Sequence, residues 1–213
     1  MELGGKTPAL VLDNADLENA ARNIAFGAFC HRGQICFATS RIIVVRKVAG
    51  QFVTLLKEEL ASKYADGLGS AATRAFALSE QAMVEAARKD GAEFSAGNSE
   101  LIGPNRTTLA PIVVTGVKHD TILADEEAFG LAASLYIVED WPTRPIALDL
   151  SGRLDYGIVH INACSLADLP ITPVQGHKAS GWGSNNADYG IDEFLELKTV
   201  TIRPAPPRIQ FEG

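Results

Sequence analysis

Short apolar runs alternate with stretches of helical periodicity along the chain. Residues 8–12 form a continuous apolar run, which is typical of a buried strand. Between residues 17 and 28 the apolar positions recur at helical spacing and predict a helix that ends near Gly33. Residues 41–46 are rich in β-branched side chains and predict a second strand, and residues 52–60 predict a second amphipathic helix. This alternation of strand and helix indicates an α/β protein.

The same alternation continues toward the C-terminus. A Gly-, Ala- and Ser-rich connection over 64–78 precedes a third predicted helix, which Ser79 is expected to cap and which ends near Gly91. Further apolar runs predict strands at 108–114, 131–138, 157–161 and 197–203. Strands that alternate with helices predict an α/β fold of three layers (αβα) around a mostly parallel sheet.

Two segments fit this pattern less simply. Residues 139–152 are compatible with either a helix or a loop. Pro142 and Pro145 oppose the helix start that the following apolar run favours. The last segment, 204–213, contains three prolines and predicts an extended tail. We therefore expect one domain over 1–203, followed by that tail.

Composition restricts the classes of partner. The 213 residues carry a net charge of −7 and 46% hydrophobic side chains, which is typical of a globular protein and disfavours nucleic acid as a partner. The sequence has no apolar run long enough for a membrane span and no apolar signal-peptide core near Met1. The three cysteines, Cys30, Cys36 and Cys164, follow neither a disulfide framework nor a metal-ligand spacing. We expect a cytoplasmic protein that binds no metal, nucleic acid or membrane.

Cys36 is the first candidate for chemistry. It lies in a Gly-Gln turn between the first predicted helix and the second predicted strand, where a thiol can face a cleft while rigid elements hold its backbone. His31, Arg32 and Arg41 place positive charge nearby, and positive neighbours favour the nucleophilic thiolate. The alternative is that Cys36 is a small buried hydrophobic side chain, as a lone cysteine commonly is.

Two acidic motifs accompany this cysteine. Residues 2–6, Glu-Leu-Gly-Gly-Lys, place a carboxylate on a glycine turn 34 residues before Cys36. A carboxylate near a thiol can take a proton from the thiol or from water. Residues 125–130, Asp-Glu-Glu-Ala-Phe-Gly, form an acidic cluster that ends in an aromatic residue and a glycine. For both motifs the alternative is a solvated acidic turn without chemistry.

Taken together, the motifs resemble those of the aldehyde dehydrogenase superfamily. The matching segments are Glu-Leu-Gly-Gly-Lys at 2–6, Gly-Gln-Ile-Cys at 33–36, Glu-Glu-Ala-Phe-Gly at 126–130, Gly-His-Lys-Ala-Ser-Gly-Trp-Gly at 176–183 and Leu-Lys-Thr-Val at 197–200. Their order and the spacing between Glu2 and Cys36 also match. The C-terminal segments are most similar to the fungal aromatic-aldehyde branch, the salicylaldehyde- and vanillin-type enzymes. The resemblance covers nearly all of the chain, but only about the C-terminal, catalytic half of a family member.

The resemblance implies a role for each motif. Cys36 would be the nucleophile that adds to a hydrophobic or aromatic aldehyde, and its backbone N–H would form half of an oxyanion hole. Glu2 would activate the water that hydrolyses the thioester after hydride transfer to NAD or NADP. Glu127 would hold the ribose beside the nicotinamide, and Gly4 and Phe129 would complete the cofactor contacts.

The chain also departs from the family pattern. In the family, the cofactor-binding half precedes the Glu-Leu-Gly-Gly-Lys motif, and the segments after Gly130 and near 63–79 are longer than they are here. The cofactor is therefore left open between NAD, NADP and none.

Three functions are compatible with these residues. The first is oxidation of hydrophobic or aromatic aldehydes, in the setting of fungal secondary metabolism. The second is a cofactor-independent isomerase or cyclase, in which an apolar pocket binds an aldehyde-bearing metabolite and promotes, for example, a cycloaddition. The third is a non-catalytic subunit that pairs with a full-length relative through residues 197–203, so we expect a homo-oligomer or such a complex.

Overall fold

The computed structural model describes residues 3–64, 69–118, 121–125, 133–136 and 144–202. Within these ranges the helices are α1 (Leu17–Phe29), α2 (Arg46–Lys63), α3 (Arg74–Lys89), α4 (Ile122–Asp125), α5 (Arg144–Arg153) and α6 (Ala187–Asp192). The strands are β1 (Thr7–Val11), β2 (Thr39–Val44), β3 (Glu93–Ala96), β4 (Leu101–Ile102), β5 (Thr108–Leu109), β6 (Val113–Thr115), β7 (Ala133–Tyr136), β8 (Val159–Ile161), β9 (Val174–Gln175) and β10 (Ser184–Asn185). Two short 3-10 segments lie at Cys30–Gly33 and Lys178–Ser180.

Four parallel strands form the central sheet, in the order β2-β1-β7-β8. The β1–β2 register pairs Thr7 with Thr39 and then Pro8 with Arg41, so Ser40 is an extra residue that forms a β-bulge. The other strands of the described ranges form three antiparallel pairs, β3–β6, β4–β5 and β9–β10. The predicted α/β class with a mostly parallel main sheet is confirmed.

The two faces of β1 show why the fold has three layers. Ala9 and Val11 are fully buried in a cluster with α1 and α2, whereas Leu10 and Leu12 pack on the opposite face against Ala147 of α5. Successive side chains of a strand point to opposite faces, so a continuous apolar run must have helices on both sides. The sheet is therefore the middle layer of an αβα arrangement, as predicted.

The main core lies between this sheet and the pair α1 and α2. The buried face of α1 is built largely from alanines around Ile24, and α2 contributes Phe52, Leu56 and Leu60. Small side chains on α1 let the two helices and β1 approach closely, and the larger residues of α2 fill the remaining volume. Asp16 caps α1 by accepting a hydrogen bond of 3.0 Å from the Asn19 N–H.

The third helix begins earlier than predicted. Its N-cap is Thr73, whose hydroxyl accepts a hydrogen bond of 3.2 Å from the Phe76 N–H, and helical residues start at Arg74. Ser79, the predicted cap, lies inside the helix. The prediction was wrong because both residues are competent caps, and an extended backbone at Thr73 allows the helix to begin there.

The single strand predicted over 108–114 is two short strands, β5 and β6, in different antiparallel pairs. Pro111 lies between them and has no N–H to donate, so one continuous ladder cannot pass through it. The open question over residues 139–152 is answered for its described part, where α5 places Pro145 in its first turn. A proline is tolerated there because the first N–H groups of a helix lack intrahelical acceptors.

The last predicted strand is also wrong. Residues 197–202 have no regular structure, and Leu197 and Ile202 are almost completely exposed. A strand requires a hydrogen-bonded neighbour, and no described strand pairs with this segment. The predicted tail over 204–213 lies outside the described residues. None of the described helices combines the length and the apolar character of a membrane span.

Candidate active site

Cys36 lies in the turn that joins α1 to β2. The chain leaves α1 at Phe29, passes through the 3-10 segment Cys30–Gly33 and enters β2 at Thr39. A hydrogen bond of 2.9 Å from the Ala38 N–H to the Ile35 carbonyl closes the turn around Cys36, which is half-buried. The predicted position of the thiol, after a helix and before a strand, is confirmed. We call residues 30–38 the Cys36 turn.

The backbone of this turn is strained. His31 and Arg32 have φ angles of 47° and 65°, in the left-handed region, and Gly33 follows with φ 72°. A left-handed conformation costs a non-glycine residue about 1–3 kcal/mol. At Gly33 a side chain would also lie 2.9 Å from the Ala28 carbonyl oxygen, so only glycine fits. Contacts elsewhere must stabilise the turn.

Arg32 makes the first of these contacts. Its side chain is only 4% exposed, and its guanidinium donates to Glu80 Oε2 on α3 at 2.8 Å and to the Thr107 carbonyl at 3.1 Å. Burial raises the pKa of Glu80 above its usual value, although the charge of Arg32 and its hydrogen bond act in the opposite direction. The desolvation cost of the pair falls mainly on Arg32, because the Glu80 side chain is 38% exposed.

Gln34 makes the second contact. Its Oε1 accepts a hydrogen bond of 2.8 Å from the Ala72 N–H, and its Nε2 donates to the His31 carbonyl at 3.3 Å. The Ala71 N–H donates to the Thr107 carbonyl at 2.8 Å, so both anchors end on one hydrogen-bonded region. The Cys36 turn is thus connected to the segment before α3 and to the β4–β5 hairpin.

The segment 3–6 lies at the same edge of the sheet as the Cys36 turn. Thr7 pairs with Thr39, and Gly4 and Cys36 each precede their paired threonine by three residues. Because β1 and β2 are parallel, both segments approach the sheet from its amino edge. The predicted motif with the glycine turn and the predicted nucleophile are thereby brought to one edge; Gly4 itself adopts φ 120°.

A third segment reaches this edge. The Leu3 N–H donates to the Ser180 carbonyl at 2.9 Å, so residues 3–6 lie against the loop of the Gly-His-Lys motif. In that loop His177 Nε2 lies 2.5 Å from Asp155 Oδ1, and Lys178 forms an ion pair with the same carboxylate. Hydrogen bonds from Lys178 and then from His177 hold the pKa of Asp155 below its usual value. Sequence reasoning missed Asp155, because no motif links it to His177 over 22 residues.

Arg41, the other arginine that flanks the thiol in sequence, has a separate partner. Arg41 Nη2 donates to the Ala124 carbonyl at 2.5 Å, which anchors the end of α4 to β2, three residues before Glu127.

Burial raises the pKa of the Cys164 thiol, so that cysteine is a packing residue. Three of the predicted site residues, Glu2, Glu127 and Phe129, lie outside the described residues.

Two further features of the structure bear on ligand binding. In the described part of the chain no group of three His, Cys, Asp or Glu side chains is arranged to hold a metal ion. A cleft of about 410 Å³ lies between α1 and the end of α2, and its lining is Arg22, Asn23, Phe26, Glu59, Lys63 and Tyr64. Of the predicted site residues, the two that the structure describes, Gly4 and Cys36, do not line this cleft.

Comparison with known proteins agrees with the motifs. The model of the aldehyde dehydrogenase family matches residues 1–141 and 144–200, nearly the whole chain. The chain belongs to the aldehyde dehydrogenase family. Vanillin dehydrogenase of Pseudomonas fluorescens is 34% identical over 238 residues, covering 97% of this chain and 48% of that protein. Salicylaldehyde dehydrogenase of Pseudomonas putida is 30% identical, covering 99% and 49%.

Solved structures of aldehyde dehydrogenases show the same fold. A salicylaldehyde dehydrogenase from Pseudomonas putida G7, complexed with salicylaldehyde, superposes with a TM-score of 0.89 at 27% identity, covering 99% of this chain and 49% of that one. An NAD-dependent aldehyde dehydrogenase from Sinorhizobium meliloti gives a TM-score of 0.87 at 31% identity, with 96% and 46% covered. The chain spans about half the length of these relatives. The 238 aligned positions also exceed its 213 residues, so the vanillin dehydrogenase carries segments that this aldehyde dehydrogenase chain lacks.

Proposed function

We propose that this chain is the nucleophile-bearing half of an aldehyde dehydrogenase that acts on aromatic aldehydes, with Cys36 as the nucleophile. The observation that carries the proposal is the β1–β2 register, which brings the Cys36 turn and the segment after Glu2 to one edge of the sheet. The similarity to vanillin and salicylaldehyde dehydrogenases supports an aromatic substrate.

The step that this chain's own residues carry is addition of the thiol to the aldehyde. The Cys36 thiolate forms a bond to the carbonyl carbon, and the π electrons of the C=O bond move to the oxygen. The backbone N–H of Cys36 would donate a hydrogen bond to that oxygen, which then takes up a proton to give a thiohemiacetal. In the proposed role, Glu2 later removes a proton from the water that hydrolyses the thioester.

The described residues do not by themselves form a dinucleotide site. Of the three residues that the family resemblance assigns to NAD or NADP, only Gly4 is described. A single glycine offers a backbone contact, but neither a partner for the ribose hydroxyls nor a site for the pyrophosphate. Oxidation of the thiohemiacetal requires a hydride acceptor, and we derive no step through it.

Protection of the thiol tests the proposed addition directly. Vanillin or salicylaldehyde should slow the alkylation of Cys36 by iodoacetamide, measured peptide by peptide with mass spectrometry. Cys30, six residues earlier, is the internal control and should be alkylated at the same rate with and without aldehyde. Equal alkylation of Cys36 with and without aldehyde would refute the addition step.

Turnover separates the alternatives. Formation of NADH or NADPH with an aromatic aldehyde should be lost in Cys36→Ser and kept in Cys30→Ala. Calorimetric titration with NAD and NADP then shows whether this chain binds either cofactor alone. A reaction of the aldehyde that survives Cys36→Ser without any cofactor would instead support the isomerase or cyclase, which stays a prediction.

We also propose, as a second candidate function, a subunit that pairs through its C-terminal segment. The exposed apolar side chains of the described residues concentrate there, and they include Tyr189, Ile191, Phe194, Leu195, Leu197, Val200 and Ile202. A β-prone segment that exposes such side chains favours pairing with a second chain. Light scattering should show a dimer or higher oligomer that dissociates in Val200→Glu. A monomer at all concentrations, and with a full-length relative added, would refute it.

The fungal, secondary-metabolic setting and the cytoplasmic location stay predictions.

A further inference from the structure

We propose that Arg32 is a positioning residue for Cys36, and that its ion pair with Glu80 holds the Cys36 turn in its strained conformation. The proposal rests on the proposed function, because it assigns Arg32 a role in presenting the nucleophile. Arg32 does not touch the reacting atoms; it acts through the three residues that separate it from Cys36.

The side-chain anchor and the backbone strain are located in the same residue. Arg32 adopts φ 65°, and its guanidinium is fixed at two points, Glu80 and the Thr107 carbonyl. Strained backbone persists only where surrounding contacts over-determine it. Without the two-point anchor, the left-handed pair His31 and Arg32 can relax toward an ordinary turn, and the Cys36 thiol moves with it.

Stability alone does not account for this ion pair. The Arg32 side chain is 4% exposed, its Nε has no hydrogen-bond partner among the described residues, and burial raises the pKa of Glu80. The Glu80 side chain is 38% exposed, so the desolvation cost falls mainly on the Arg32 guanidinium, and this cost offsets much of the attraction within the pair. Such a pair is better explained by the geometry that it imposes.

The side chains of Arg32 and Gln34 bind a region of the fold that is itself packed and hydrogen-bonded. Thr107 also accepts the Ala71 N–H, and Gln34 binds the neighbouring Ala72 N–H. Ala71 also belongs to a small apolar cluster with Ala77, Leu101 and Leu109, which is separate from the main core. The Cys36 turn is therefore fixed to two packed regions, the main core through α1 and this second cluster through Arg32 and Gln34.

Three variants test the role. Arg32→Lys keeps the charge but loses the planar fork that reaches two acceptors. Glu80→Ala removes the acceptor, whereas Glu80→Gln loses the charge but keeps an oxygen that can accept from Nη2, so its effect should be smaller than that of Glu80→Ala. Lys47→Met, at an exposed ion pair with Asp13, is the control for loss of a salt bridge elsewhere.

The readout is the alkylation rate of Cys36 by iodoacetamide across a pH series, followed peptide by peptide. Arg32→Lys and Glu80→Ala should change the Cys36 rate by about fivefold or more and displace its pH profile, Glu80→Gln should give a smaller change in both, and Lys47→Met should leave both unchanged. For turnover of an aromatic aldehyde, kcat of Arg32→Lys and Glu80→Ala should fall roughly 10- to 100-fold, with KM changed much less.

Loss of thermal stability with an unchanged Cys36 rate and pH profile would overturn the proposal and leave Arg32 a purely structural residue. If Arg32→Lys fails to fold, the comparison of Glu80→Ala with Glu80→Gln still decides. Alkylation requires no turnover, so a chain without dehydrogenase activity but with the predicted Cys36 response would refute only the proposed function.

Discussion

The hydroxyl oxygens of Thr39 and Ser165 lie 3.0 Å apart, and both residues are almost entirely buried. Thr39 begins β2, three residues after Cys36, and Ser165 belongs to the loop after β8, the strand at the other edge of the sheet. This contact holds Thr39, the residue directly after the Cys36 turn, against the loop after β8. Each of these two buried hydroxyl groups has the other as its hydrogen-bond partner.

Ser165→Ala is expected to lower the free energy of unfolding by about 1–3 kcal/mol, because the Thr39 hydroxyl then stays buried without its partner. The double variant Thr39→Val/Ser165→Ala should cost less than the sum of the two single variants. Urea denaturation of all four proteins gives the coupling energy. Strict additivity would show that the two hydroxyls do not interact.

Gly27→Ala is expected to destabilise the fold although it improves helix propensity. The added Cβ would lie 2.9 Å from Thr39 Oγ1 and 3.0 Å from Cys164 Sγ, in the buried contact between α1 and β2. Overpacking of this kind costs about 1–3 kcal/mol. Gly50→Ala on the exposed face of α2 is the matched control, since its Cβ meets no described atom within 4 Å, and it should stabilise by up to about 1 kcal/mol. Thermal melting compares the two; stabilisation by both would contradict the crowding at Gly27.

The start of α3 is testable with two alanine variants. Thr73→Ala should lower stability by about 1 kcal/mol, because the Phe76 N–H loses its hydrogen-bonded cap. Ser79→Ala, inside the helix and exposed, should change stability by less than about 0.5 kcal/mol. Guanidinium denaturation measures both. The reverse order of effects would indicate that the helix begins at Ser79.

His160 on β8 should make the fold sensitive to mild acid. Burial lowers the pKa of His160 below its ordinary value of 6.5, against a smaller opposing effect of the Asp168 carboxylate. The unfolded chain therefore binds a proton at pH values where the folded chain does not, so stability is complete above 6.5 and is lost as the pH falls below it. His160→Gln should reduce the loss of unfolding free energy between about pH 7.5 and about pH 5.5 in urea. An unchanged pH dependence would place the sensitivity in other groups.

Local patterns explain what the sequence could predict. The apolar run at 8–12, the helical spacing after Leu17 and the β-branched run at 41–46 each report burial on a short scale, so the order β1-α1-β2 and the position of Cys36 followed directly. The cap of α3 was misplaced, because Thr73 and Ser79 are equally suitable residues and only the backbone decides between them.

Contacts between distant segments could not be predicted. Arg32 and Glu80 are 48 residues apart, and nothing in either segment marks them as partners. Arg32 also gave no sign of a left-handed backbone, since that conformation favours glycine and, among other residues, asparagine, aspartate and histidine. The strand predicted at 197–202 failed for a related reason, because β propensity states a preference and says nothing about the neighbour that must complete the ladder.

The extra residue at Ser40 reverses the face to which Thr39, the first residue of β2, points. In an uninterrupted strand Thr39 would point to the same face as Arg41, away from α1. With the bulge, Thr39 pairs with Thr7 and points to the opposite face, into the space that Gly27 leaves open. One inserted residue thus sets the face to which Thr39 points at the end of the Cys36 turn, and deletion of Ser40 would turn Thr39 away from Gly27.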